Sequence, residues 1–496
     1  MKLCLPLLLL LGVCSLGKTE EASTVPSSPD AITSGGKDEM ERKEENGGCG
    51  GAQQFSPEAR QVVGGAIERL GLQLLQKLSI GSQQPNVIIS PLSVSLALAQ
   101  LALGARNETE RLLLSSLHAN SEPCYHHILG GLLQHLNNTF LDVATRMYLR
   151  PGFDVRVSFV DDSLARYGSV PAPLVSVEEV NQWVENATEG HIANFLESLP
   201  HDIVLMLINA VYFKGEWQTR FDPQVTSKGA FYLDVQKAVS VDMMKSAHYP
   251  LRLMDDAELQ AQVASFPFKG NTSFLVVMPL LGRANVSSVL PKLNISDLYR
   301  RLPQETTMQV NLPKFKLQYR QELQESLTSM GLGSLFSGPD LSGISDHPLK
   351  VTAVRHASGI ELCEKGVEAS ATTVVTTMRS ISLFSINSPF IFALVDEASL
   401  TPFFLGVVTN PAPDDDPMPS DDPHGNRTQS DEPVKHNDGE IDMNNKQSRG
   451  AIGDSDTHSD AELTADSSVQ PCGAPADGKE LQQSLNGPGQ PGEGDC

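Results

Sequence analysis

Residues 204–217 read VLMLINAVYFKGEW, and the apolar part of this stretch decides the fold class. Residues 204–213 carry almost no polar side chain, which is typical of a strand that is buried on both faces of a sheet. Three later segments share this character and predict further buried strands, at residues 274–278, 390–395 and 403–408. We therefore expect one large sheet at the centre of the domain.

Two helix starts precede these strands. Ser56 is followed by Pro-Glu-Ala-Arg, which predicts an N-cap, and helical spacing continues over residues 66–78. Ser90, with Pro91 directly behind it, predicts a second helix start. Because residues 93–103 are almost wholly apolar, this helix has no polar face and must be buried. Helices early in the chain and strands later predict an α+β domain.

Composition divides the 496 residues into four parts. Residues 1–17 have the features of a secretory signal peptide, with a short apolar run that is less than the ~20 residues needed to span a bilayer. Residues 18–54 are predicted to form a flexible arm, and residues 55–411 the globular domain. Residues 412–496 contain 19 acids, five bases and no aromatic residue, which predicts an acidic disordered tail. We expect a secreted, extracellular monomer.

Charge and motifs exclude several functions. With 60 acids against 37 bases, the net charge is −23, which does not suit nucleic acid or an anionic membrane. The sequence has no Cys/His cluster, no HExxH, GxSxG or P-loop, and no GxGxxG between a strand and a helix. We therefore expect no metal, no cofactor and no enzyme activity. Seven sequons are candidate glycosylation sites: Asn107, Asn137, Asn186, Asn271, Asn285, Asn294 and Asn426.

Residues 364–385, EKGVEASATTVVTTMRSISLFS, form a candidate reactive segment. Its small and β-branched residues alternate with polar ones, so one face can be buried by insertion into a sheet. Residues 369–378 contain no Pro, so every backbone N–H can pair in a sheet, and they contain no charge whose desolvation would oppose insertion. Arg379 is the one base between Lys365 and the tail, and an extended arginine suits the specificity pocket of a trypsin-like protease. A plain surface strand with an exposed arginine would show a similar pattern.

Several motifs resemble those of the serpin family, in the family's order and at its spacing over residues 55–411. They are NVIISPLSV at residues 86–94, NAVYFKGEW at 209–217, LPKF at 312–315, His356, EKGVEA at 364–369 and FLGVVTNP at 404–411. One departure is Ser388, because the family usually has an arginine before this Pro389. The resemblance implies the serpin fold, with a large central sheet, surrounding helices and an exposed reactive loop.

The resemblance also implies inhibition of a trypsin-like serine protease. The protease would attack the carbonyl of Arg379, and the freed loop would then enter the central sheet. The hinge of this movement would consist of Glu364, Gly366, Val367, Ala369 and Ala371. The usual spacing from the hinge places the cleaved bond at Ser380–Ile381, whereas the chemistry of the protease pocket favours Arg379–Ser380. We choose Arg379–Ser380 as the reactive bond.

Further roles follow from the same resemblance. Ser90 and His356 would form a hydrogen-bonded gate where the sheet opens, although two buried polar residues without that role would look the same. Cys49 and Cys124 would form a disulfide between the arm and the body. Cys363 is interpreted as a small buried residue or, alternatively, as a redox-active thiol.

Within the serpins, several stretches of this sequence resemble inhibitors of plasmin. Such inhibitors also carry a long tail after the serpin domain, which most serpins lack. We therefore expect plasmin or plasminogen as the partner. In such inhibitors tail lysines bind the kringle domains of plasmin, and Lys479 is the candidate contact; an inert acidic tail is the alternative. A non-inhibitory serpin that carries a ligand or acts as a chaperone is the main rival function. Its hinge would be expected to hold bulky, charged or Pro residues.

Overall fold

The computed structural model describes Cys49 and residues 56–78, 84–120, 122–136, 141–367 and 382–413. Several predictions lie outside these residues, namely the signal peptide, most of the arm, Asn137, the loop at residues 368–381 with Ala369, Ala371, Arg379 and Ser380, Asn426, and nearly all of the tail with Lys479. The described residues form an α+β domain in which most long helices precede most strands. The predicted fold class is confirmed.

The helices in the described ranges lie mainly in the first part of the chain. They are α1 (Pro57–Lys77), α2 (Pro91–Gly104), α3 (Asn107–Ser116), α4 (Tyr125–Leu136), α5 (Val157–Tyr167), α6 (Val177–Ala187), α7 (Val286–Val289), α8 (Ile295–Arg301), α9 (Gln324–Leu327) and α10 (Ser334–Ser337). Short 3₁₀ turns occur at Pro223–Val225 and Leu290–Lys292, and a π-turn at Thr328–Leu332.

Both predicted helix starts are capped as expected. The Ser56 hydroxyl accepts a hydrogen bond from the Ala59 amide, and the Ser90 hydroxyl accepts one from the Ser93 amide, each at 3.2 Å. Helix α2 is buried along nearly its whole length. Its lack of a polar face is therefore explained by its position in the middle of the domain.

The strands form two sheets. They are β1 (Val87–Ile89), β2 (Leu141–Leu149), β3 (Ala172–Pro173), β4 (Leu205–Lys214), β5 (Ser227–Tyr232), β6 (Ala238–Asp256), β7 (Ala261–Phe268), β8 (Thr272–Pro279), β9 (Thr306–Pro313), β10 (Phe315–Glu322), β11 (Val351–Leu362), β12 (Leu383–Ser385), β13 (Phe390–Asp396) and β14 (Pro402–Val408). The first sheet, here called the central sheet, has the order β10-β11-β4-β2-β3. Strand β4 is the segment that the sequence identified as central.

The second sheet has the order β1-β14-β13-β8-β7-β6-β9-β12, with β5 paired to β6. The other three predicted strands are its β8, β13 and β14. One hydrophobic core joins both sheets to α1 and α2. A smaller core on the opposite face of the central sheet packs α6 against β2 and β4, through Val180 and Val184. The central sheet is therefore covered on both faces, which explains the apolar character of β4.

A disulfide joins Cys49 to Cys124, across 75 residues of sequence. Cys124 directly precedes α4, so the bridge ties the end of the arm to the body of the domain. This expected pairing is confirmed.

Candidate functional site

The centre of the site is a seam between two parallel strands, β4 and β11. Their register runs from Leu205 opposite Val351 to Lys214 opposite Glu361. On either side of the seam the pairing is antiparallel, because β2 lies against β4 and β10 lies against β11. A strand that entered the seam in the opposite direction would replace one parallel pair by two antiparallel pairs, and parallel pairing is slightly less stable per residue.

The chain leaves β11 at Leu362 beside the far end of β4, and its next residues are already paired there. Residues 364–367 lie alongside residues 217–221, which follow β4. Four backbone hydrogen bonds of 3.0–3.1 Å make this contact: Trp217 N–H to Lys365 O, Val367 N–H to Trp217 O, Arg220 N–H to Val367 O and Phe221 N–H to Glu364 O. Residues 364–367, where the predicted hinge begins, are therefore held by backbone hydrogen bonds just beyond the carboxyl-terminal end of β4.

Gly366 is required by this close approach. A Cβ atom at this position would lie 2.6 Å from the carbonyl oxygen of Trp217 and 3.0 Å from the Cα of Arg220. The Trp217 indole N–H also donates to the carbonyl of Cys363, at 2.6 Å. Cys363 is buried, with 2% of its surface exposed, and it is disulfide-bonded, so it is not a free thiol. Trp217 thus organises both sides of the junction between β11 and the loop.

Glu364 is held by two partners at this junction. Its carboxylate lies 3.0 Å from the Lys314 ammonium and accepts a hydrogen bond of 2.8 Å from the Thr226 hydroxyl. Burial of the carboxyl would raise its pKa, but these two contacts outweigh burial and hold the pKa below its usual value. The hinge is therefore fixed by a charge pair as well as by the backbone.

Ser90 and His356, the two residues predicted to form a gate, meet below the middle of the seam. The Ser90 backbone N–H donates to His356 Nε2 at 3.3 Å, and both residues are almost wholly buried. Burial lowers the pKa of His356 to about 4, so the imidazole is neutral at physiological pH. This contact brings α2 and β11 together, which the sequence alone did not show.

Asn209 extends this polar cluster across the seam. It lies opposite His356 in the register of β4 and β11, and its side-chain oxygen accepts a hydrogen bond of 3.3 Å from Thr145 of β2. Within the described part of the chain, neither Asn209 Nδ2 nor His356 Nδ1 has a hydrogen-bond partner. Sequence reasoning missed Asn209, although it is the one polar residue within the apolar run of β4.

The five described sequon asparagines all lie at the surface, where a glycan can be attached: Asn107, Asn186, Asn271, Asn285 and Asn294. Glycosylation itself stays a prediction. In the described ranges no helix is long and apolar enough to cross a membrane, and no group of three or more His, Cys, Asp or Glu side chains could hold a metal ion.

Comparison with known proteins agrees with this geometry. The model of the serpin (serine protease inhibitor) family matches residues 65–411. The chain belongs to the serpin family.

Particular relatives are similar over most of the chain. Alpha-2-antiplasmin of Bos taurus is 42% identical over 364 residues, which cover 72% of this chain and 74% of the relative. Alpha-2-antiplasmin of Mus musculus is 45% identical over 338 residues, covering 67% and 69%. The crystal structure of mouse protein Z-dependent protease inhibitor superposes with a TM-score of 0.65 at 26% identity, covering 72% of this chain and 98% of that one. The expected resemblance to plasmin inhibitors is thereby confirmed.

Proposed function

We propose that this protein is a secreted inhibitor of plasmin that acts through its reactive loop. The observation that carries the proposal is the seam between β4 and β11, which ends at the anchored hinge. A chain that turned back after Val367 would enter the seam antiparallel to both strands. The similarity to alpha-2-antiplasmin of two species supports plasmin as the target.

The chemical step belongs to the protease. Its serine oxygen attacks the carbonyl carbon of Arg379, the peptide bond to Ser380 breaks, and Ser380 leaves with a free amino group. The Arg379 carbonyl then remains as an ester on the protease serine. Because Arg379 is the one base between Lys365 and the tail, a pocket that binds a cation has one place to bind in this loop.

Insertion of the loop then traps the ester. About 15 residues, at ~3.3 Å each, would carry the attached protease roughly 50 Å along the central sheet. Deformation of the protease would stop hydrolysis of the ester. Before cleavage, no strand lies between β4 and β11, and the energy for insertion is stored in this metastable fold. A kinetic barrier keeps the uncleaved loop out of the sheet.

Incubation with plasmin, trypsin and chymotrypsin tests the proposal. Plasmin and trypsin should form a complex that survives SDS, and the released carboxyl-terminal peptide should begin at Ser380 rather than Ile381. Arg379→Ala should abolish most of this inhibition. Arg111→Ala, which removes an exposed arginine on α3, is the matched control and should inhibit normally. If Arg379→Ala inhibits plasmin as fast as the natural sequence, the assignment of the reactive bond is wrong.

The same experiment separates the rival function. A non-inhibitory serpin would be left intact or be cleaved without any stable complex. Residues 366–373 of the sequence hold almost none of the bulky, charged or Pro residues expected of that class, which favours the inhibitor.

A further inference from the structure

A disulfide-bonded cysteine lies where the central sheet joins the reactive loop. Cys363 directly follows β11 and precedes Glu364, the first residue of the predicted hinge. Its sulfur takes part in a disulfide bond. The described residues include two other cysteines, Cys49 and Cys124, and these are bonded to each other. The partner of Cys363 therefore lies outside the described residues.

The sequence leaves few candidates for this partner. Its four remaining cysteines are Cys4, Cys14, Cys472 and Cys496. The first two belong to the predicted signal peptide, which is removed from a secreted protein. The other two belong to the acidic tail. Because disulfides form in the oxidising compartment that a secreted chain passes through, elimination leaves the tail cysteines as partners within one chain.

We propose that Cys363 is bonded to a tail cysteine, Cys496 or Cys472, and that this bond ties the tail to the hinge. The bond forms by thiol–disulfide exchange. The two thiols are oxidised, and a protein disulfide of the secretory compartment takes up their two electrons and two protons and becomes a dithiol. The elimination rests on secretion, which is one part of the function proposed above, but the bond itself does not depend on inhibition.

The surroundings of Cys363 protect such a bond. The residue has 2% of its surface exposed, and its carbonyl accepts the hydrogen bond from the Trp217 indole. The preceding residue, Leu362, pairs with Phe315 of β10. Reduction requires a thiolate to reach one of the two sulfurs, and burial blocks access to the sulfur of Cys363. We therefore expect a long-lived structural bond rather than a redox switch.

The proposed bond encloses the reactive bond in a ring. Arg379 and Ser380 lie between Cys363 and both tail cysteines in the sequence. Cleavage would then open the ring instead of dividing the chain into two pieces. Without the disulfide, the fragment after the cut is held by the pairing of β12, β13 and β14 in the second sheet, which SDS disrupts. The bond between Cys49 and Cys124 lies wholly before the cut and cannot replace it.

The bond also limits how far Lys479 can lie from the hinge. Lys479 is seven residues from Cys472 and 17 from Cys496, instead of 66 from Pro413, where the described residues end. Fully extended, seven residues span at most about 25 Å and 17 residues at most about 61 Å. A shorter tether raises the effective concentration of the lysine near a protease at the loop. This consequence rests on the function proposed above.

Peptide mapping of the secreted full chain tests the bond directly. The chain is denatured without reductant, treated with iodoacetamide, digested and analysed by mass spectrometry. We expect the peptide that contains Cys363 to be crosslinked to the one that contains Cys496 or Cys472, and the crosslink identifies the partner. The natural sequence is used, so no variant can misfold. Alkylated Cys363, or a chain that runs as a disulfide-linked dimer in SDS, would overturn the proposal.

A cut in the loop provides a second measurement. A catalytic amount of thermolysin makes the cut, and an antibody to the residues beside the tail cysteine that mapping identifies follows the tail in SDS. Without reductant the antibody should stain the large fragment that precedes the cut, and with reductant only a small one. Cys363→Ser should release the small fragment under both conditions. The double variant Cys49→Ser/Cys124→Ser is the matched control and should behave like the natural sequence. Release of the tail from the natural sequence without reductant would contradict the ring.

Association with plasmin then tests the consequence for Lys479. Cys363→Ser should lower the association rate constant toward that of Lys479→Gln, and it should have no further effect when combined with Lys479→Gln. Equal rates for Cys363→Ser and the natural sequence would refute the placement of Lys479. If plasmin forms no complex with any of these proteins, the proposed function fails, whereas the disulfide is judged by the mapping alone.

Discussion

At the scale of single residues, His356 lies below the seam with 1% of its surface exposed. Its Nε2 accepts a hydrogen bond from the Ser90 amide, so the proton of the neutral ring is on Nδ1. In the described residues Nδ1 has no acceptor, and an unpaired buried donor costs about 1–3 kcal/mol. This cost destabilises the pairing at the seam, as expected if the sheet opens for the proposed loop insertion.

The burial of His356 predicts a dependence of stability on pH. Its pKa is about 4 in the folded protein, below the usual value of 6.5 that it regains on unfolding. The unfolded chain therefore binds a proton first as the pH falls. The contribution of His356 is fully present above pH 6.5 and is lost between pH 6.5 and pH 4, by about 1.4 kcal/mol per unit.

Urea unfolding of the natural sequence and of His356→Gln, from pH 7.5 to pH 4.5, measures this effect. The variant should show a shallower loss of stability across that window. His248→Gln, at an exposed position on β6, is the control and should follow the natural sequence. Parallel curves for all three proteins would show that His356 is not buried in its neutral form.

At the scale of elements, the segment after the hinge must be able to form a strand. Ala369→Pro removes a backbone N–H that the inserted strand would use, so insertion should slow and the inhibitor should become a substrate. We expect plasmin to cleave the variant after Arg379 with little stable complex. Ala369→Ser keeps the N–H and should behave normally. An unchanged yield of complex from Ala369→Pro would contradict insertion at this point.

The elements also show which parts of the fold can be predicted from sequence. Strand β4 and helix α2 were predicted correctly because both are apolar on all sides. The helix caps at Ser56 and Ser90 were also predicted correctly, because a cap depends only on neighbouring residues. The partners of Glu364 were not, because Lys314 and Thr226 are 50 and 138 residues away in sequence. Contacts at such separations depend on strand order, which no local pattern encodes.

At the scale of the whole molecule, the acidic tail follows directly after the second sheet. Ala412 still packs against the core, and the described residues end at Pro413. Its 19 acids should not block a contact through Lys479, because screening acts over ~8 Å at physiological salt. If Lys479 binds a kringle domain of plasmin, the tail raises the rate at which plasmin associates with the inhibitor. Cleavage at Arg379 and insertion of the loop are then unaffected.

Truncation after Pro413 tests this role of the tail. The association rate constant with plasmin should fall modestly, while the final amount of complex stays the same because hinge and loop are intact. A free lysine analogue should slow the full chain toward the truncated one, and Lys479→Gln should reproduce most of the loss. Lys446→Gln is the matched control. Equal rates for the full and truncated chains would leave the tail as an inert spacer.

The central claim is that the loop enters the seam between β4 and β11, and cleavage of the loop tests it most directly. The measurement is the thermal unfolding midpoint before and after the loop has been cut near Arg379 by a catalytic amount of thermolysin, a metalloprotease that has no serine for the inhibitor to trap. Insertion would replace one parallel pair by two antiparallel pairs and release the stored energy, so the midpoint should rise by tens of degrees, which for a domain of this size corresponds to on the order of 10–20 kcal/mol. An unchanged or lower midpoint in the cleaved protein would contradict the account.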